Sequence, residues 1–291
     1  MTGPLAIGVS TFVWHSPIDD EKLRALVPRL AEWGFDAVEL PLEQPGDWDP
    51  DAAGELFAEH GLGSSVCVVF GDGRELVAAD AATIAATQEY VRECVDVAQR
   101  QGASVVVGPI YASVGRVWRT RPEERRALLE ELRESLRPLA DDAGEHAIKL
   151  GIEPLNRYET SLLNTVEQTL EAIDGLPPES IGVNLDTYHQ NIEEKDVAGA
   201  IRLAGDRLVH VHTCANDRGA PGRDHLDWDA IRDALAEVGY TGMFGIESFT
   251  PDNEVIATAA SIWRPLASSP DELARDGLRF LQRWRDSWPA Q

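Results

Sequence analysis

The sequence predicts an α/β chain folded as one (β/α)8 barrel, a single domain over residues 1–291. Three observations predict it. Short β-branched or apolar runs alternate eight times with longer amphipathic stretches, the mark of a parallel sheet with crossover helices. The length of 291 residues suits eight strand-helix units around one core. The last four runs each carry, at their last or next-to-last position, a charged or imidazole side chain that strand alternation turns toward the barrel axis.

In order, the strands are LAIGVS from Leu5, DAVEL from Asp36, SSVCVV from Ser64, SVVVG from Ser104, IKLGIE from Ile148, IGVNLD from Ile181, RLVHVH from Arg207 and MFGIES from Met243. Every intervening gap can hold a helix. The clearest helices run from Asp80 to Gln101, from Pro122 to His146 and from Pro270 to Trp288, where apolar residues recur every three or four positions between charges. Asp80 and Asp227 suit N-caps, Gly34 and Gly102 suit helix ends, and Pro122 and Pro270 suit first turns.

Apolar residues at 43% and charged residues at 26% supply a core that needs no staples. Cys67, Cys94 and Cys214 are odd in number and widely spaced, so they read as reduced thiols of a cytoplasmic protein. The N-terminal MTGPLAIGVSTFVW has no basic segment leading into a long apolar run, and no stretch is long enough to span a bilayer, so neither secretion nor membrane insertion is expected. Fifty acidic against 26 basic residues give a net charge of −24, which repels phosphate backbones and anionic membranes and favours a neutral substrate. Lysine occurs only at Lys22, Lys149 and Lys195.

Alternation assigns the candidate site. In IKLGIE the apolar Ile148, Leu150 and Ile152 face outward, leaving Lys149, Gly151 and Glu153 inside. In IGVNLD, Asn184 and Asp186 are inside; in RLVHVH, Val209 and Val211 face out while His210 and His212 face in; in MFGIES, Gly245 and Glu247 face in. Glu153, Asp186, His212 and Glu247 therefore meet at the end of the barrel where active sites of this fold are built. Three converging carboxylates need a proton or a cation, and three carboxylates with one imidazole suit Mn²⁺, with Co²⁺ or Mg²⁺ as alternatives. Any one inward carboxylate is as often a cap or ion-pair partner as a ligand. Four strands giving the same answer at one height are harder to explain that way.

Other residues carry less. His210, a layer below His212, reads as a hydrogen-bonded core histidine. Glu39, inward in DAVEL, fits a contact to substrate or to the ligand groups as well as it fits a structural ion pair. Trp14, Tyr111 and Trp118 can wall a sugar pocket, although core packing is the more ordinary role of an aromatic residue. His15 and His225 fall in loops, and FGDGREL from Phe70 is a turn without the lysine of a phosphate cradle.

The motifs IEPLNRYET at Ile152, NLDTYHQN at Asn184, HVHTCANDRGAPG at His210 and GIESF at Gly245 resemble the ketose 3-epimerases, the D-tagatose and D-allulose 3-epimerase group of xylose-isomerase-like barrels. GVSTFVW and ECVDVAQRQGASVVVGP agree, so the likeness covers nearly the whole chain in order. The resemblance implies that Glu153, Asp186, His212 and Glu247 bind the metal and that Glu153 and Glu247 are the acid/base pair. It also implies that Glu159, His189 and Arg218 grip the carbonyl end of the sugar, with Arg223 as the competing choice for Arg218. A free sugar substrate and a homodimer or homotetramer follow from it, while the net charge and the lack of a spanning segment argue against nucleic-acid and membrane partners.

Epimerisation next to a ketone explains such a set. The C3 proton becomes removable only if charge developing on the neighbouring oxygen is stabilised, and inversion needs a base on one face and an acid on the other. The same enediolate chemistry serves aldose-ketose, hydroxypyruvate and inositol-pathway isomerases, which form the nearest alternative. A metal-dependent DNA-repair barrel conflicts with the charge of −24 and with a single histidine ligand, and a non-catalytic sugar-binding barrel conflicts with the intact glutamate pair. One arginine, such as Arg116 or Arg119, could still favour a phosphorylated sugar locally.

Overall fold

The computed structural model describes residues 5–288. Eight parallel strands close in sequence order, β1 neighbouring both β2 and β8. They are β1 Ile7–Ser10, β2 Ala37–Pro41, β3 Gly63–Cys67, β4 Val105–Gly108, β5 Lys149–Ile152, β6 Ile181–Asp186, β7 Leu208–Thr213 and β8 Phe244–Ile246, each within the segment expected or a residue beyond it. The helices are α1 Asp20–Trp33, α2 Pro50–His60, α3 Ala81–Arg100, α4 Pro122–Glu145, α5 Val166–Ala172, α6 Thr187–Glu193, α7 Val197–Ala204, α8 Trp228–Glu237, α9 Glu254–Ala259 and α10 Pro270–Asp286. No helix among the described residues is long and apolar enough to cross a membrane.

Local chemistry sets the boundaries. Asp80 and Asp227 cap α3 and α8, their carboxylates accepting from the N–H groups of Thr83 and Ala230. In α10, Pro270 occupies the first turn, Asp271 and Glu272 sit at the positive end of the helix dipole, and Arg283 and Arg285 sit at the negative end. Its buried Leu273, Ala274, Gly277, Leu278, Leu281 and Trp284 form one stripe at helical spacing, and Trp284 packs edge-on to Phe244, an outward residue of β8. The same logic buries Leu129, Leu132, Leu136 and Leu139 along α4.

Two residues depart from simple alternation. Val183 pairs with Leu208 but the next residue, Asn184, pairs with His210, so Val209 is an extra residue in a bulge. Val209, expected outside, instead fills space left by two glycines: a Cβ on Gly151 or Gly182 would lie 3.0 or 2.6 Å from its methyl carbons. Beyond the bulge ordinary alternation resumes and turns both His210 and His212 inward. Lys149, placed inside by alternation, is solvent-exposed at the first position of β5.

Candidate active site at the barrel mouth

Four consecutive strands deliver one group each to the C-terminal mouth. Glu153 follows β5, Asp186 ends β6, His212 lies near the end of β7 and Glu247 follows β8, and all four are buried. One ligand atom from each lies within 4.8 Å of the others. Gly245 makes room for them, since a Cβ there would sit 3.2 Å from both His212 Cδ2 and His210 Nε2.

Hydrogen bonds orient the ligand atoms. His212 Nδ1 faces Glu153 Oε1 at 3.5 Å and Glu247 Oε2 at 3.4 Å, while Nε2 lies 3.1 Å from Glu39, which also accepts from Ser65 Oγ at 2.9 Å. A carboxylate on the far imidazole nitrogen is how metal-binding histidines are commonly fixed in tautomer and direction. Glu39 therefore contacts a ligand side chain rather than the cavity. Asp186 divides its oxygens, Oδ1 accepting from the Tyr188 N–H at 2.8 Å and Oδ2 from Arg218 Nη1 at 2.5 Å.

Arg218 is the internal cation that sequence reasoning did not pair with the carboxylates. Its Nη1 also donates to Glu247 Oε2 at 3.0 Å, and its guanidinium stacks over Tyr188 and Phe249, 4.3 and 4.7 Å from the ring centroids. Its backbone adopts φ +68°, a left-handed conformation that costs a non-glycine residue about 1–2 kcal/mol and that clusters at functional sites. Arg223 is directed elsewhere, with a 72% exposed side chain paired to Asp276.

His189 lies in the first turn of α6. Its Nδ1 accepts from the backbone N–H of Asn156 at 3.1 Å and faces the Asn156 Nδ2 amide at 3.0 Å, while its Nε2 lies 2.8 Å from Arg218 Nη2, so donors approach both ring nitrogens. Asn156 Nδ2 also donates to Glu159 Oε1 at 2.7 Å. Buried Asn156 thus orders both His189 and Glu159; it lies inside IEPLNRYET, yet without a charge it drew no attention.

A cavity of about 270 Å³ opens above these groups. Glu153, Glu159, His189, Arg218 and Glu247 line it, and Phe12, Phe249 and Ile256 form part of its apolar wall. Trp14, Tyr111 and Trp118 do not: Trp14 packs on Trp33 and bonds Asp271, Tyr111 is wholly buried in the core, and Trp118 packs against that core under Arg116. The wall residues Phe12 and Phe249 stand in GVSTFVW and GIESF, so the motifs held them although no spacing rule selected them. Arg116 is paired with Glu75 and bonds two backbone carbonyls, so it offers no free charge to a phosphate. His225 is exposed against Asn191, and His210 is a buried core residue whose Nε2 faces Glu39 Oε2 at 3.2 Å while its Nδ1 has no hydrogen-bond partner among the described residues.

Burial and neighbours drive the carboxyls apart. Burial, reinforced by the Glu247 charge, pushes Glu153 up to about 8, and burial pushes Asp186 up to about 6 against the opposing pull of Arg218. Burial acts upward on Glu247 too, but His212 and Arg218 outweigh it and hold this carboxyl below its usual range. Burial opposes the charge on His212, and Glu39 and Glu247 overcome it, raising its pKa well above the ordinary 6.5. Burial, then Arg218, keeps His189 neutral.

These shifts predict a pH response. Above about pH 7 unfolded histidines and carboxyls have lost their protons, whereas folded cation-free protein retains those on Glu153 and His212. Stability that depends on protons held only by the folded state is lost as pH rises through the folded pKa. We expect the melting temperature of chelator-treated protein to fall as pH rises from about 7 to 8.5, and divalent-ion affinity to rise over the same interval as the competing protons leave. A melting temperature that climbs across that interval would contradict the charge distribution.

The buried donor set fits a divalent ion. Three carboxylate oxygens and one imidazole nitrogen suit Mn²⁺, Mg²⁺ or Co²⁺, and carboxylates this close cannot all ionise without added positive charge.

The closed parallel barrel agrees with the xylose isomerase-like TIM barrel family, whose profile matches residues 27–284. The chain belongs to this family. It is 33% identical to a ketose 3-epimerase of Arthrobacter globiformis, with 96% of each chain covered, and 32% identical to an L-ribulose 3-epimerase of Mesorhizobium japonicum, covering 94% of this chain and 92% of the relative. The crystal structure of a D-allulose 3-epimerase from Methylomonas sp. in complex with D-allulose superposes with a TM-score of 0.87 at 29% identity, covering 96% and 97% of the two chains.

Proposed function

We propose that the chain is a divalent-metal-dependent epimerase that inverts C3 of a free ketose of the D-tagatose, D-fructose, D-allulose or L-ribulose type. The observation that carries this reading is the pair Glu153 and Glu247, which line one cavity from strands separated by β6 and β7 around the shared His212. The names of the full-length relatives support the substrate class. A bound divalent ion, Mn²⁺ first among the candidates, supplies a Lewis acid for the charge developing on the ketose oxygens.

Within that frame each residue has a task. One glutamate removes the C3 proton, giving an enediolate, and the other returns a proton to the opposite face; the roles exchange for the reverse reaction. Asp186 and His212 complete the ligand set with the two glutamates. His189, whose Nε2 lies against Arg218, contacts a substrate oxygen together with that guanidinium, Glu159 accepts from a hydroxyl, and Arg218 stabilises oxygen charge at the carbonyl end. The apolar wall around Phe12 and Phe249 excludes water from the enediolate. Three free, buried thiols suit a reducing cytoplasm, and the homodimer or homotetramer is inferred from the resemblance.

Incubating the protein with Mn²⁺ and individual ketoses, followed by chromatography, tests the assignment: a C3 epimer supports it, whereas an aldose as the first product would move the chain to the isomerase alternative. Arg218→Ala is expected to lower kcat/KM by roughly 10–100-fold, the equivalent of a charge-assisted hydrogen bond, with metal content kept near one per chain. Exposed Arg223→Ala is expected to stay within about twofold of wild type. Kinetics beside elemental analysis decides this, and a crippled Arg223→Ala next to an intact Arg218→Ala would reverse the assignment.

A further inference from the structure

A second group of buried donors adjoins the tetrad. One ligand atom from each of Glu39, Cys67, His212 and Glu247 lies within 4.8 Å of the others, and Cys67 Sγ is 4.0 Å from Glu247 Oε1. The two groups share His212 and Glu247 but differ in the imidazole face they use: Nδ1 looks to Glu153 and Glu247, Nε2 to Glu39.

Unbonded polar atoms mark the same spot. Glu39 is wholly buried, and its Oε1 lies 3.1 Å from His212 Nε2 without the alignment of a hydrogen bond. His210 is wholly buried; its Nε2 faces Glu39 Oε2 at 3.2 Å, and its Nδ1 has no hydrogen-bond partner among the described residues. Polar groups left unsatisfied in a core are costly, and native proteins keep few of them without a ligand or functional reason.

We propose that Glu39, Cys67 and the Nε2 face of His212, with Glu247 shared, form a second metal site that selects a thiophilic divalent ion such as Zn²⁺ or Cd²⁺. The sulfur donor sets the selectivity, because Mn²⁺ and Mg²⁺ prefer all-oxygen or oxygen-rich shells whereas Zn²⁺ and Cd²⁺ gain from thiolate and imidazole. Binding displaces the Cys67 Sγ proton and the His212 Nε2 proton to solvent, with no change of oxidation state. Since His212 and Glu247 serve both sites, filling one weakens the other, and a thiophilic ion acts as an antagonist of Mn²⁺. This holds whichever sugar the cavity accepts.

Cadmium titration of the chelator-stripped full chain, followed by sulfur-to-cadmium ultraviolet absorption, tests the proposal with a readout independent of activity. Wild type is expected to develop the absorption of one bound thiolate. Cys67→Ser and Cys67→Ala should lose it while keeping their circular dichroism and Mn²⁺ binding. Cys214→Ala should retain it; Cys214 Sγ, 3.9 Å from Asp186 Oδ1, is the rival sulfur donor. Added Mn²⁺ should raise the cadmium concentration needed for half-saturation. Absence of the band in wild type, its survival in the Cys67 variants, its loss in Cys214→Ala, or indifference to Mn²⁺ would overturn the proposed site.

Discussion

Glutamine at position 153 or 247 is expected to lower epimerisation in both directions by roughly 10²–10⁴-fold, the usual contribution of a general acid or base. The substitution keeps the size of the side chain and one oxygen able to face a cation, but it cannot exchange a proton. Both glutamates are buried within the same cluster and both border the cavity. Asp186, the remaining carboxylate of the tetrad, does not line the cavity and is tied to Arg218 and to the Tyr188 N–H. Steady-state kinetics in each direction, with metal content measured on the same samples, gives the comparison. A metal-loaded variant that works at close to the wild-type rate would remove its glutamate from the chemistry.

Removal of the divalent ion should have an effect of similar size and a structural signature as well. Without a cation the cluster holds Glu153, Asp186 and Glu247 against one guanidinium and the His212 imidazolium, and charge on a reacting ketone oxygen would have no metal to meet it. Exhaustive chelation is expected to abolish turnover, with Mn²⁺ or Co²⁺ restoring it. The melting temperature should fall together with activity, since an ion present at about 100 times its Kd stabilises the folded state by about 2.7 kcal/mol. Full activity in protein shown metal-free by elemental analysis would contradict the tetrad as a metal site.

Much of this site was legible because a closed barrel converts a two-residue period into inside and outside. That rule found Glu153, Asp186, His212 and Glu247 from four separate strands, and the structure brings all four together. It failed at Val209, where one extra residue in β7 breaks the period; the signal was Gly151 and Gly182 on adjacent strands, whose missing side chains make room for the valine. Residues beyond the strand ends do not follow the strand period. Glu159, His189 and Arg218 were found through motifs, and the structure gathers them at one cavity while leaving Arg223 at the surface. The bond from Arg218 to Asp186 depends on a left-handed turn that the sequence ANDRG does not announce. Aromatic residues were the weakest reading: Trp14, Tyr111 and Trp118 pack on the core, and the cavity wall comes from Phe12, Phe249 and the short α9, placed by tertiary contacts rather than local pattern.

The division of labour between the two glutamates is open to direct measurement by C3 proton exchange in deuterated water. A single remaining base can remove and return a proton on its own face without inverting the centre, so each metal-loaded glutamine variant should slowly wash deuterium into C3 of only one epimer. Glu153→Gln and Glu247→Gln should select opposite epimers, and wild type should deuterate C3 as it inverts it. Inversion by wild type with no deuterium incorporated at C3, or both variants labelling the same epimer, would contradict the two-base assignment.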